Sequence, residues 1–141
     1  MGEEMFNCST RIRVRYGETD KMGVAHHGAM VTWLEVGRVE WCRAVGVPYS
    51  EVEAAGFNMA VAELTVRYMK PIFFDEKITI ETVAENFTAR LARFSYRIFN
   101  SKQELAVVGS TRHLVVGKTL IRTSLSPELM TRFRRVLEQD A

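Results

Sequence analysis

Asp20, His26 and His27 share one short stretch, Tyr16-Gly17-Glu18-Thr19-Asp20-Lys21-Met22-Gly23-Val24-Ala25-His26-His27-Gly28. It joins an alternating, strand-like segment to a long apolar, helix-like one. A carboxylate and two imidazoles at such a joint suit attack on a carbonyl carbon. The acid supplies a nucleophile or base, and the first amides of a helix supply positive charge for the oxyanion. The joint is expected to be buried. The backbone N–H groups of His26, His27 and Gly28 are the candidate oxyanion donors, because the first helical amides have no partner within the helix. Gly28 lets a ligand approach that backbone closely.

Each of these residues also has a plainer reading. Asp20 either attacks the carbonyl or takes a proton from an attacking water, and acids before helices also serve as N-caps. His27 either contacts the substrate carbonyl or water, or caps the helix. Glu18 is expected to face solvent, as loop acids usually do. Glu35 falls inside the apolar helix and reads as structural; if buried it needs a partner such as Arg38.

The elements that position these groups follow from hydropathy period. Over residues 8–16, Cys8, Thr10, Ile12, Val14 and Tyr16 alternate with Ser9, Arg11, Arg13 and Arg15, which predicts a strand with one buried face. Over residues 28–45, Met30, Trp33, Leu34, Gly37, Trp41 and Val45 recur at helical spacing, and Val31, Val36, Val39 and Cys42 widen the apolar stripe. That helix is expected to be wrapped on most sides, with Trp33 and Trp41 filling the concavity. A second helical turn over 49–55 is opened by Pro48 and closed by Gly56. Strands follow over 57–70, 76–86, 91–100 and 104–117, with turns at Asp75-Glu76 and Asn100-Ser101-Lys102. Neighbours in this meander should pair antiparallel. Ser126 as N-cap, Pro127 and Glu128 open a last helix, buried through Leu129, Met130, Phe133, Val136 and Leu137.

The 141 residues are 47% apolar, enough for one core and too few for two, so residues 1–141 read as a single domain. With 19 basic and 17 acidic residues the formal charge is +2. These charges are scattered, so nucleic acid is not implied. No apolar run approaches the roughly 20 residues of a membrane span, and residues 1–7 lack the marks of a signal peptide, so a cytoplasmic location is expected. Cys8 and Cys42 lack ligand spacing, which argues for reduced thiols and no metal site.

Together these features describe an α+β fold, an antiparallel sheet of about five strands curled around one long helix, which resembles the hotdog fold. The string Y-G-E-T-D-K-M-G-V-A-H-H-G, with W-L-E-V-G-R at Trp33 to Arg38, resembles the 4-hydroxybenzoyl-CoA thioesterase family, in the branch of Tol-Pal-associated acyl-CoA thioesterases. T-V-R-Y-M-K-P-I from Thr65 is similar to a second family signature, as is the run through Gly109-Ser110-Thr111-Arg112-His113. The resemblance covers most of residues 10–117.

It implies hydrolysis of acyl-CoA thioesters without a metal or other cofactor, with Asp20 as the catalytic carboxylate and His27 at the helix start. It also implies a homodimer or homotetramer with sites at subunit interfaces. His26 stands where an aromatic residue is common, and Gly28-Ala29-Met30 replaces a bulkier segment; both changes bear on the acyl group accepted. For such a substrate Arg90 and Arg93, then Lys70 and Arg67, are candidates to meet the phosphates of coenzyme A. Phe57, Met59 and Val61 are candidates to line the acyl pocket. Two rivals stand beside this reading. An acyl-CoA hydratase on the same fold is disfavoured by imidazoles six and seven residues after Asp20 instead of five. A non-catalytic acyl-CoA-binding module is disfavoured by the absence of a DNA-binding segment to report the binding.

Overall fold

The structure, a computed structural model, describes residues 7–137; apart from Asn7, the segment on which the signal-peptide reading rests lies outside the described residues. Five strands form one antiparallel sheet: β1 (Asn7–Arg13), β2 (Asn58–Tyr68), β3 (Lys77–Phe87), β4 (Leu91–Phe99) and β5 (Leu105–Val116). Helix α1 (His27–Ala44) lies on the sheet's inner face, followed by the short α2 (Tyr49–Ala54), and α3 (Pro127–Leu137) is the last element among the described residues. This is the α+β, hotdog-type arrangement expected.

Parity holds in β1, where Cys8, Thr10 and Ile12 turn inward and their neighbours outward. The strand nevertheless stops at Arg13, and Tyr16, expected on the buried face, stands 80% exposed at the start of a short 3-10 turn. The buried end of this segment is Val14, tied by its amide to the carbonyl of Glu76 at 2.8 Å.

The order across the sheet is β1-β3-β4-β5-β2. The expected four-strand meander is therefore a three-strand meander, β3 to β5, and β2 pairs with β5 instead of β3. The chain between β2 and β3 must cross from one edge of the sheet towards the other. It does so past the Asp20 loop: Ala25 donates to the carbonyl of Ile72 at 2.8 Å, and Phe74 to that of Gly23 at 2.9 Å. The crossover thus pins the loop from outside while Ile72 is fully buried beneath it.

Helix α1 buries Met30, Trp33, Leu34, Gly37, Trp41 and Cys42 against the sheet. Gly37 makes the close approach possible, since a Cβ there would fall 2.4 Å from Thr82 Oγ1 and 3.0 Å from Ile80 Cγ2. At the far end, Trp41 stacks on Phe87 and Phe133 and meets Phe94 edge to face, so α3 seals the core beneath the last turns of α1. The Ser126 hydroxyl accepts from the amide of Leu129 at 3.3 Å, which confirms the cap read from the sequence. The helix is not wrapped on all sides. Val31 is 45% exposed and Glu35 faces solvent, with no ion pair to Arg38 among the described residues.

Candidate active site

Glu18 fixes the loop between β1 and α1. It is buried, not solvent-facing as the sequence suggested, and its two oxygens accept three hydrogen bonds. The Arg15 amide donates to Oε1 at 2.8 Å, and the Arg15 guanidinium and Trp33 Nε1 donate to Oε2 at 2.8 and 3.0 Å. Burial alone would raise the carboxyl's pKa. The bonds from Arg15 and Trp33 outweigh it and hold the group below the usual carboxylate range. The Glu18 carbonyl also accepts from the amide of His26 at 3.0 Å, which sets where α1 begins.

The loop then turns tightly on Asp20. Its Oδ1 accepts from the amides of Met22 at 2.8 Å and Val24 at 3.1 Å, while its own amide donates to the Val24 carbonyl at 2.9 Å. Oδ2 takes no hydrogen bond among the described residues. One oxygen therefore orients the carboxylate and the other is available. In the single chain Asp20, His26, His27 and Gly28 are exposed, so the joint is anchored by buried Glu18 and Ala25 instead of being buried throughout.

The two imidazoles have different places. His26 is the N-cap of α1: Nδ1 accepts from the Ala29 amide at 3.2 Å, which leaves the proton on Nε2, 3.3 Å from the Gly17 carbonyl. The capping role weighed for His27 thus belongs to His26. Because the His26 amide is taken by Glu18, it is not an oxyanion donor. The amides of His27 and Gly28, first in the helix, carry no hydrogen bond among the described residues. The His27 ring stacks on Tyr68 of β2, with centroids 4.9 Å apart, and borders a cavity of about 300 Å³ with Met30, Tyr68, Met69, Lys70 and Ile72.

Of the basic candidates, Lys70 lines this cavity and also meets Glu104 at 3.1 Å. Arg67, paired with Val108, sits at the same end of the sheet. Arg90 and Arg93 are not brought to Asp20 within the chain. The Arg90 carbonyl bonds Val115 at the opposite end of the sheet, and Arg93 pairs across from Asn86 and Arg112.

A second cavity, about 350 Å³, opens between α1, α2 and the sheet, lined by Met59 and Val61, two of the acyl-pocket candidates, and by Arg38, Tyr49, Phe94 and His113. Phe57 is half-buried against the core and does not line it. Arg38 and His113 went unassigned in the sequence because their spacing, 75 positions apart, carries no local signal. Cys42, at the cavity's floor, is an inert thiol whose pKa burial pushes up to about 12. Among the described residues there is no cluster suited to a metal ion and no helix long and apolar enough to cross a membrane.

Comparison with known proteins agrees with this architecture. The Thioesterase-like superfamily matches residues 14–133. The "Putative acyl-CoA thioesterase YneP" of Bacillus subtilis is 33% identical over 107 residues, which is 76% of this chain and 78% of that protein. The acyl-CoA thioester hydrolase YbgC of Escherichia coli O6:H1 is 29% identical over 94 residues, 67% of this chain and 70% of that one. Among solved structures, the DHNA-CoA thioesterase of Staphylococcus aureus superposes with a TM-score of 0.88 at 35% identity, covering 95% of this chain and 93% of that one. The matched span holds the Asp20 loop, α1 and the whole sheet from β2 onward, and on that ground the chain belongs to the Thioesterase-like superfamily.

Proposed function

We propose that the protein hydrolyses acyl-CoA thioesters, with Asp20 as nucleophile or general base and the amides of His27 and Gly28 as the oxyanion site. The observation that carries this reading is the division of labour at Asp20. Met22 and Val24 hold Oδ1, and among the described residues Oδ2 is uncommitted in the loop that leads into a helix start with two unpaired amides. The functions named for YneP, YbgC and the S. aureus thioesterase support it.

The chemistry asks for little more. Water or the carboxylate adds to the carbonyl carbon, negative charge gathers on the oxygen facing the two amides, and the carbon–sulfur bond breaks. If Asp20 attacks directly, water then cleaves the mixed anhydride. A thiolate whose conjugate acid has a pKa of about 8.5 leaves without a strong general acid. His27 is free to meet the carbonyl or the water, and Lys70 and Arg67 are the better-placed partners for the coenzyme's phosphates. Placement in the 4-hydroxybenzoyl-CoA thioesterase branch is part of the same proposal, resting on the motif from Tyr16 to Gly28.

The reading includes self-association through β2. This edge strand is exposed on both faces, with Val61 51%, Leu64 37% and Tyr68 45% open. Unpaired edges with apolar side chains invite pairing with a second copy. Such a homodimer, alone or doubled to a tetramer, would cover Tyr68 and His27 and enclose a site that is open in the protomer.

The test is thiol release from a panel of short, medium, long and aromatic acyl-CoAs. Release of coenzyme A from at least one class is expected. A purified, folded protein that released none would end the hydrolase reading.

A further inference from the structure

The second cavity contains a half-buried cation, Arg38. Arg38 makes no ion pair among the described residues, although Glu35 and Glu53 line the same cavity. Its one hydrogen bond among the described residues runs inward, from Nη1 to the Tyr96 hydroxyl oxygen at 3.3 Å. That hydroxyl lies 2.7 Å from Thr111 Oγ1, Thr111 Oγ1 lies 2.9 Å from His113 Nε2, and His113 Nδ1 lies 3.2 Å from the Met59 carbonyl.

The two ends of this chain fix the direction of every bond in it. A guanidinium only donates and a carbonyl only accepts. His113 Nδ1 must therefore carry the proton, which leaves Nε2 to accept from Thr111. Thr111 then accepts from Tyr96, whose oxygen accepts from Arg38. Tyr96, Thr111 and His113 are each 2% exposed or less, so an alternative order would strand a polar group in the core. Burial and the nearby Arg38 charge lower the His113 pKa to about 4, which keeps the imidazole neutral as this order requires.

This buried, one-way relay touches neither the Asp20 loop nor the cavity beside His27. Its effect is to hold one guanidinium at the cavity wall with the rest of its five donors unused among the described residues. Val39, Cys42, Met59, Val61 and Phe94 give the cavity its apolar wall, beside the polar Glu35, Tyr49, Glu53 and His113. Along α1, Glu35 and Arg38 stand about 12 and 16 Å beyond His27 at roughly 1.5 Å per residue. Side chains tilt back towards a helix's start, which shortens that span.

Building on the hydrolase reading, we propose that Arg38 is a specificity-determining residue for the acyl group: the cavity accepts acyl chains or rings bearing a neutral oxygen, hydroxyl or carbonyl, at their far end. Arg38 donates to that oxygen, and Tyr96, Thr111 and His113 are positioning residues behind it. Glu35 and Glu53 set the preference for a neutral oxygen, because a carboxylate tail would meet two like charges while a hydroxyl can donate to either one.

The test uses matched pairs of acyl-CoAs differing by one distal oxygen: 4-hydroxyphenylacetyl against phenylacetyl, and 10-hydroxydecanoyl against decanoyl. The wild-type protein should favour the oxygenated member in kcat/KM by about tenfold or more, since discarding it leaves buried donors unpaired. Arg38→Met should erase that preference while changing the deoxy member by less than about threefold. Tyr96→Phe, which removes the anchor and keeps the ring, should lower the preference in the same direction by a smaller factor. A preference unchanged in Arg38→Met overturns the assignment, as does an equal fall for both members of a pair. Calorimetry with the corresponding non-hydrolysable thioethers gives the same comparison without turnover. If the wild-type protein cleaves no thioester, the hydrolase reading fails, and selective loss of the oxygenated thioether in Arg38→Met still supports the subsite, whereas equal binding of both members by the two proteins removes it.

Discussion

Trp33 Nε1 donates to Glu18 Oε2 across 3.0 Å, and through that bond the middle of the central helix holds the loop carrying Asp20. Glu18 precedes Asp20 by two residues and Trp33 is fully buried, so the loop is referenced to the core instead of to the surface. Removing the donor by Trp33→Phe should cost about 1–3 kcal/mol, the penalty for a buried acceptor losing a partner. Glu18→Gln should cost at least as much, because the Arg15 guanidinium loses its charged partner too. Urea unfolding reads the stability, and thiol release should fall in both variants; unchanged midpoints would show that the bond is incidental.

Asp20→Asn should reduce thiol release by at least about 100-fold with the fold retained. The asparagine carbonyl can still accept from Met22 and Val24, so the turn survives while the nucleophile or base does not. Activity near that of the wild type, with an unchanged circular dichroism spectrum, would take Asp20 out of its proposed role.

Acid should weaken the fold in two stages. His113 has a pKa of about 4 when folded against 6.5 in its ordinary state, so the unfolded chain binds the extra proton between those values. The stability it lends is complete above pH 6.5 and is lost as pH falls towards 4, by at most about 3 kcal/mol. Glu18, whose pKa is held below 4.5, adds a contribution present above 4.5 that disappears at lower pH. Urea midpoints of the wild type and His113→Gln should converge as pH falls from 7 to 4; parallel curves would refute the buried neutral imidazole.

Gly37→Ala should destabilise the protein by about 1–3 kcal/mol through overpacking. The added methyl meets the Thr82 hydroxyl and Ile80, and α1 must lift to admit it. Thermal unfolding measures the loss, and a neutral effect would mean that Thr82 simply turns aside.

Leu64→Arg, on the exposed edge strand, should turn a dimer into a monomer in light scattering and lower activity with it. A wild-type monomer would dispose of the proposed β2 pairing at once.

Period and punctuation in the chain were enough to place α1, α3, β1 and the four later strands, because alternation and helical spacing are local properties that each segment carries within itself. The loop from Tyr16 to Gly28 stood out for the same reason, its chemistry being contiguous. Other features depended on distant partners. The crossing of β2 to β5, the burial of Glu18 beneath Trp33, and the choice of His26 over His27 as cap are fixed by contacts that only the packed chain creates. Arg38 and His113, 75 positions apart, become one hydrogen-bond chain only once α1 lies on β4 and β5. A residue's period tells which face it occupies, while the tertiary fold decides which groups meet there, since hydrogen bonds act over about 3 Å of space irrespective of separation along the chain.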